Sequence, residues 1–155
     1  MLAETTISMI RASISGNPDD VVEASSAMRA ARLEIARKHV DAHLTSPGLT
    51  PDSLGKVLGL SERRVRNLFE HLGGAQNFIR ARRLNACRKA ILEGGGRSIS
   101  EIAEAFGFSS SAHFSRVFKA QFGWSPSEVR EMTSRILQQS THESWLKAGD
   151  TPRSK

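Results

Sequence analysis

A chain of 155 residues has room for one domain, or for a compact pair of small subdomains with tails. Its 39% hydrophobic and 25% charged residues are ordinary for a soluble globular protein. The net charge of +6 and the isoelectric point near 10.2 favour a polyanionic partner, without choosing between nucleic acid, membrane surface and acidic protein.

The opening "MLAETTISMI" carries Glu4 and no basic start, so it does not read as a signal peptide. Ile7, Ile10 and Ile14 make an apolar ridge, and "NPDD" at 17–20 reads as a helix start with Asn17 as cap and Pro18 in the first turn. A helix through "ARLEIARKHVDAHL" sets Leu33, Ala36, Val40 and Leu44 on one stripe, and "TSPG" stops it. "TPDS" at 50–53 caps the next helix and Gly59 interrupts it. Ser61 then caps a third helix that runs to Gly73-Gly74. A longer helix from Gln76 to Glu93 ends at Gly94-Gly95-Gly96. A short one follows from Ser98 to Phe106, with Gly107 as the break. "SPSE" at 125–128 has the form of a capping box. After Ser134 the chain is polar and expected to fray, with Trp145 and Leu146 as the residues able to dock. No stretch alternates as a strand would. The expectation is an all-α fold with residues 1–30 as an extension, 31–134 as the folded region and 135–155 as a tail. The three segments carry −2, +6 and +2, so the charge lies in the folded region.

Cys87 is the single cysteine, which excludes an internal disulfide and a cysteine-rich zinc site and suits a reducing cytoplasm. No apolar run approaches the roughly 18 residues that span a bilayer, so no membrane partner is expected.

The stretches "LGLSERRVRNLFEHLGG" (58–74) and "FGFSSSAHFSRVFKAQFG" (106–123) are a repeat. Gly59, Leu60 and Ser61 correspond to Gly107, Phe108 and Ser109. After one inserted residue, Val65, Leu68 and Phe69 correspond to Phe114, Val117 and Phe118. Each half is a short helix, a glycine turn and a serine-capped second helix, the sequence form of a helix-turn-helix. Helical spacing buries Val65, Leu68, Phe69 and Leu72 in the first copy and Phe114, Val117, Phe118 and Phe122 in the second. The opposite rows are Arg63, Arg66, Asn67 and Glu70, then Ala112, Ser115, Arg116 and Lys119, with Ser111 and His113 beside them. Such side chains can read base edges: Arg pairs with guanine and Asn with adenine, Ser serves either, and an Ala methyl meets thymine. The capped helix starts suit phosphates. A single basic helix face is commonly just solvated; two copies in matched positions favour recognition of duplex DNA. The connector over 76–93 would span about 27 Å at 1.5 Å per residue, against roughly 34 Å between successive major-groove faces. Arg80, Arg82, Arg83, Arg88 and Lys89 give it charge, while Leu84, Cys87 and Ile91 form its inner stripe.

Other candidates carry less. His39 and His43 flank Asp41, but three residues on one turn without further ligands are more simply a helix surface. Cys87 on an apolar stripe reads as an inert buried thiol. Gly94–Gly96 lacks the strand before it and the Lys-Ser/Thr after it that a phosphate loop needs. Trp124 reads as core or helix packing, and His113 as a base contact, a phosphate contact or a structural hydrogen bond. No catalytic constellation, metal site or cofactor site is expected.

From Leu49 to Arg130 the sequence resembles the AraC/XylS family of bacterial transcription regulators. The resemblance rests on "LTPDSLGKVLGLSERRVRNLF", "FIRARRLNACRKAIL" and above all "SISEIAEAFGFSSSAHFSRVFKAQFGWSPSEVR". It implies a seven-helix domain of two helix-turn-helix units joined by a helix, binding an asymmetric promoter site and activating transcription. It also implies RNA polymerase as a partner and a place in the bacterial cytoplasm at the nucleoid. Matched by motif, helices 62–72 and 110–122 read the bases through Arg63, Arg66 and Asn67, and through Ser111, Ala112, His113, Ser115 and Arg116. Ser61, Arg64, Arg80, Ser109 and Lys119 are the expected phosphate contacts. Asn67 stands where the family often has a basic residue, and "GGAQN" lacks its usual Ser/Pro helix start. Family members commonly carry a sensor or dimerisation domain ahead of this one. The expectation is therefore the C-terminal part of a longer, effector-responsive regulator that dimerises through that domain, a short sensorless regulator being the other reading. The rival function is a protein-interaction module that meets acidic partners without DNA sequence preference.

Overall fold

The computed structural model describes Thr6, Ile7 and residues 18–148. From residue 18 onward it holds seven α-helices, one 3-10 turn and, among the described residues, no strand: α1 (Pro18–Ala42), α2 (Pro51–Leu58), α3 (Glu62–Phe69), a 3-10 turn (Glu70–Leu72), α4 (Ala75–Glu93), α5 (Ile99–Ala105), α6 (Ser111–Phe122) and α7 (Pro126–Ala148). The all-α expectation holds. No helix among the described residues is long and apolar enough to cross a membrane.

Local chemistry sets the helix ends. Thr50 and Ser53 exchange reciprocal bonds at the start of α2: the Thr50 hydroxyl accepts from the Ser53 amide at 3.2 Å, and the Ser53 hydroxyl from the Thr50 amide at 2.9 Å. Ser98 with Glu101, and Ser125 with Glu128, do the same for α5 and α7. Each reciprocal pair satisfies two orphan amides at a helix start. These bonds hold the Glu101 carboxyl below its usual range through the Ser98 amide and hydroxyl, and the Glu128 carboxyl likewise through Ser125.

The chain divides into two compact units, one up to Arg82 and one from Arg83 on, with the division inside α4. The first has a core of Ala36, Val40, Leu54, Val65, Phe69 and Ile79, flanked by half-buried Leu33, Leu44 and Phe78. Within it, Arg82 on α4 donates to both carboxylate oxygens of Asp41 on α1, through Nε to Oδ1 at 2.7 Å and through Nη2 to Oδ2. The second has Leu84, Cys87, Ile91, Ile102, Ala103, Phe114 and Phe118 buried together. Burial of each large side chain contributes about 1.5–3 kcal/mol, and tilted and edge-to-face contacts among Phe108, Phe114, Phe118 and Phe122 add to it.

Several expectations need correction. The start at 17–20 and the helix at 31–44 are one continuous helix, so α1 runs unbroken through residue 30; Asn17, its expected cap, lies outside the described residues, as do Ile10 and Ile14. Ile7 is exposed. The chain after Ser134 does not fray at once, since α7 stays helical to Ala148; the side chains of Trp145 and Leu146 lie outside the described residues. Leu72 is 46% exposed rather than in the buried stripe, because α3 tightens into a 3-10 turn after Phe69 and loses the helical phase. Trp124 is 54% exposed: it follows Gly123, whose left-handed φ of 80° turns the backbone out of α6. Val117 and Phe122 are half-buried rather than buried.

Candidate nucleic-acid interface

The same turn is built twice. In the first unit the Gly59 amide donates to the Lys56 carbonyl and the Leu60 amide to the Gly55 carbonyl, at 3.2 and 2.9 Å. In the second, Gly107 donates to Glu104 and Phe108 to Ala103, both at 2.9 Å. Gly59 and Gly107 take φ of 62° and 81°, a left-handed conformation that closes a helix and that side chains with a Cβ resist. The inserted residue falls in the second turn. Ser109, expected as the cap, lies within that turn, and Ser110 caps α6 by accepting from the His113 amide at 3.2 Å. Ser61 occupies the cap position of α3, but its hydroxyl makes no cap bond.

With the turns matched, the second helices present equivalent faces. Val65, Leu68 and Phe69 point into the first core, and Phe114 and Phe118 into the second. Arg63, Arg66 and Asn67 stand exposed on α3; Ser111, Ala112, His113 and Arg116 stand exposed on α6, with Ser115 half-buried. Arg66 meets Glu62 at 3.1 Å, an exposed pair of the kind worth at most about 1 kcal/mol, so a base edge could capture the guanidinium at little cost. The expected phosphate contacts Ser61, Arg64, Arg80, Ser109 and Lys119 are all exposed. Arg80 donates to the Asn77 amide oxygen at 2.7 Å, and Asn77 donates to the Gly73 carbonyl at 2.7 Å. Asn77 thus ties the start of α4 to the preceding turn, where the Ser/Pro start of the family pattern is missing.

The remaining candidates have structural partners. His39 and His43 stack at 4.3 Å between ring centroids, His43 Nδ1 lies 2.8 Å from the His39 carbonyl oxygen, and Asp41 is engaged by Arg82. Cys87 is fully buried, and burial pushes its thiol up to about 12. Arg88 lies over the Phe122 ring at 4.9 Å. In the second unit the Arg83 guanidinium packs against Gly107, where an added Cβ would lie 3.0 Å from it; burial holds Arg83 below its usual range.

One group of residues goes beyond the sequence reading. Arg29 and Arg32 on α1 line a cleft with Arg64 and Asn67 on α3. Their signal was the spacing of Ser25, Met28, Arg29 and Arg32 along one helix stripe, hidden because residues 1–30 read as an extension.

Two matched turns, each presenting a polar and basic helix face over an apolar core, define a double helix-turn-helix protein. A helix-turn-helix domain family matches residues 54–132. The HTH-type transcriptional activator RhaS of Salmonella paratyphi B is 34% identical over 89 residues, covering 56% of this chain and 32% of the relative; the chain spans about a third of the length of such relatives. A transcriptional regulator structure from Chromobacterium violaceum, described as an AraC-type DNA-binding domain protein, superposes with a TM-score of 0.63 at 30% identity, covering 69% of this chain and 96% of that one. The C-terminal domain of AraT, a response regulator from Geobacillus stearothermophilus, gives 0.56 at 26% identity, covering 65% and 84%. The chain belongs to the AraC family of helix-turn-helix transcription regulators and carries its C-terminal, DNA-binding domain.

Proposed function

We propose that this chain reads two adjacent major-groove segments of a bacterial promoter, one with α3 and one with α6, and activates transcription there. The observation that carries the reading is the duplicated turn, which puts Arg63, Arg66 and Asn67 in one unit in the same relation to the core as Ala112, Ser115 and Arg116 in the other. Ser111 and His113 extend the second reading face. Ser61, Arg64, Arg80, Ser109 and Lys119 hold the sugar-phosphate walls and fix the register. Activation follows the RhaS relatives, which are described as activators, and implies work beside RNA polymerase in the cytoplasm, with pairing of two regulators through a further domain. Residues 31–134 serve as the reading domain, with the segments before and after it as extensions.

The test is selection of bound duplexes from a random library at near-physiological salt. The expected result is a motif with two informative blocks about one helical turn apart. Salt-sensitive bulk binding without enrichment would instead favour a protein-interaction module whose basic faces meet acidic partners.

A further inference from the structure

We propose that the cleft between α1 and α3 is a phosphate cradle built by Arg29, Arg32 and Arg64. Ser25, Met28, Arg29 and Arg32 follow the i, i+3, i+4, i+7 spacing and so form one stripe of α1. Across from them stand Leu60, Arg64, Asn67 and Leu68, and the cleft between the two rows is open to solvent, with a volume of about 260 Å³. The lining contains three guanidinium groups and no carboxylate. Arg37 meets Glu34, Arg66 meets Glu62, Arg82 meets Asp41 and Arg135 meets Glu131, whereas Arg63, Arg80, Arg88, Arg97, Arg116 and Arg130 are in none of the ion pairs among the described residues; what sets the cleft apart is that three guanidinium groups converge on it with no carboxylate. Among the described residues, none of Arg29, Arg32 and Arg64 is in an ion pair.

Arg29 and Arg32 are half-buried and one helical turn apart, where like charges repel. The Arg29 guanidinium donates to the Leu68 carbonyl at 3.4 Å, which directs it across the end of α3. Three guanidinium groups converge over an apolar floor of Met28, Leu60 and Leu68, Arg29 and Arg32 half-buried and Arg64 exposed, and an oxyanion set among them relieves their mutual repulsion. Guanidinium forks match phosphate oxygens two at a time. The ligand chemistry is therefore a phosphate, drawn either from the DNA backbone alongside the recognition helix or from a small free phosphate compound. The first source rests on the reading of α3 as a recognition helix; the second does not.

The experiment uses the full chain and the variants Arg32→Gln and Arg64→Gln, with circular dichroism confirming their helix content. Sodium pyrophosphate is titrated at constant ionic strength while the arginine Nε–H resonances are followed. Saturable shifts at Arg29, Arg32 and Arg64, lost in both variants, assign a free phosphate ligand. In parallel, affinity for the selected duplex is measured against salt. A log–log slope shallower by about one in Arg32→Gln, with the preferred sequence unchanged, assigns a DNA phosphate. Neither a saturable shift nor a slope change overturns the cradle. Failure of the wild-type chain to select any duplex would sink the promoter reading, and the pyrophosphate titration would still decide the cradle.

Discussion

Replacing Phe114 with alanine separates the two units energetically. Phe114 has no exposed surface, and its ring centroid lies 5.1 Å from that of Phe108 and 5.4 Å from that of Phe118. Removing a fully buried ring of this kind costs about 3–5 kcal/mol through lost transfer energy and an unfilled cavity. At 0.05–0.15 kcal/mol per residue, a unit of about 70 residues has only ~4–10 kcal/mol to lose. The core of the first unit contains none of the affected side chains. Urea unfolding followed by residue-resolved amide spectra reports each unit by itself. With a slope of about 1 kcal/mol per molar for so small a unit, the amides of the second unit are expected to unfold roughly 3 M earlier, with those of the first unmoved. The half-buried Phe122 sets the scale, since its truncation is expected to cost about 1–2 kcal/mol. A displacement below 1 M for Phe114→Ala would refute the packing magnitude, and an equal displacement in both units would refute separate cores.

Arg116→Ala is expected to cost about 1–3 kcal/mol at the selected duplex and to relax base preference at one position; a uniform loss on every sequence would remove Arg116 from the reading face. The capping carboxylates make the helix starts acid-sensitive. Glu101 and Glu128 have folded-state values held below the unfolded ones, so their contribution is complete above the ordinary carboxylate range and disappears as pH falls through the lowered values. Urea melts at descending pH should show a smaller acid loss in the double variant Glu101→Gln, Glu128→Gln, and an unchanged loss would contradict the assignment. Cys87, with its thiol pushed up to about 12 by burial, should react with iodoacetamide at pH 8 far more slowly in the native chain than in urea; equal rates would mean the thiol is reachable in the folded state.

What the sequence made legible is what local chemistry and period decide. The caps at Thr50 and Ser125 depend on residues within four positions, and the stripe of Leu84, Cys87 and Ile91 follows from helical spacing. The repeat carried the site, because Gly59 and Gly107 impose the same turn and the turn sets which face looks outward. Period alone could not reach Leu72, where a 3-10 turn advances about 120° per residue in place of 100°, or Trp124, whose direction is set by a left-handed glycine. The capping serine was ambiguous because Ser109 and Ser110 are adjacent and chemically equal; only the hydrogen bond to the His113 amide distinguishes them. The arginine-lined cleft needed a contact between residues about 40 apart, Arg29 to Leu68, which no local pattern records.

The extra residue of the second unit lies in its turn, between Gly107 and Ser110, and not in α6. Inside α6 it would have rotated every later side chain by about 100°, driving the Arg116 row toward the core and the Phe118 stripe toward water. In the turn it leaves the faces in phase. Turn length and helix face are therefore separable traits in this chain: residues 59–61 and 107–110 can change in number while the chemistry presented by α3 and α6 stays constant. A graft of the α6 face onto the first unit is accordingly expected to keep its phase when it is aligned on Ser61 and Ser110.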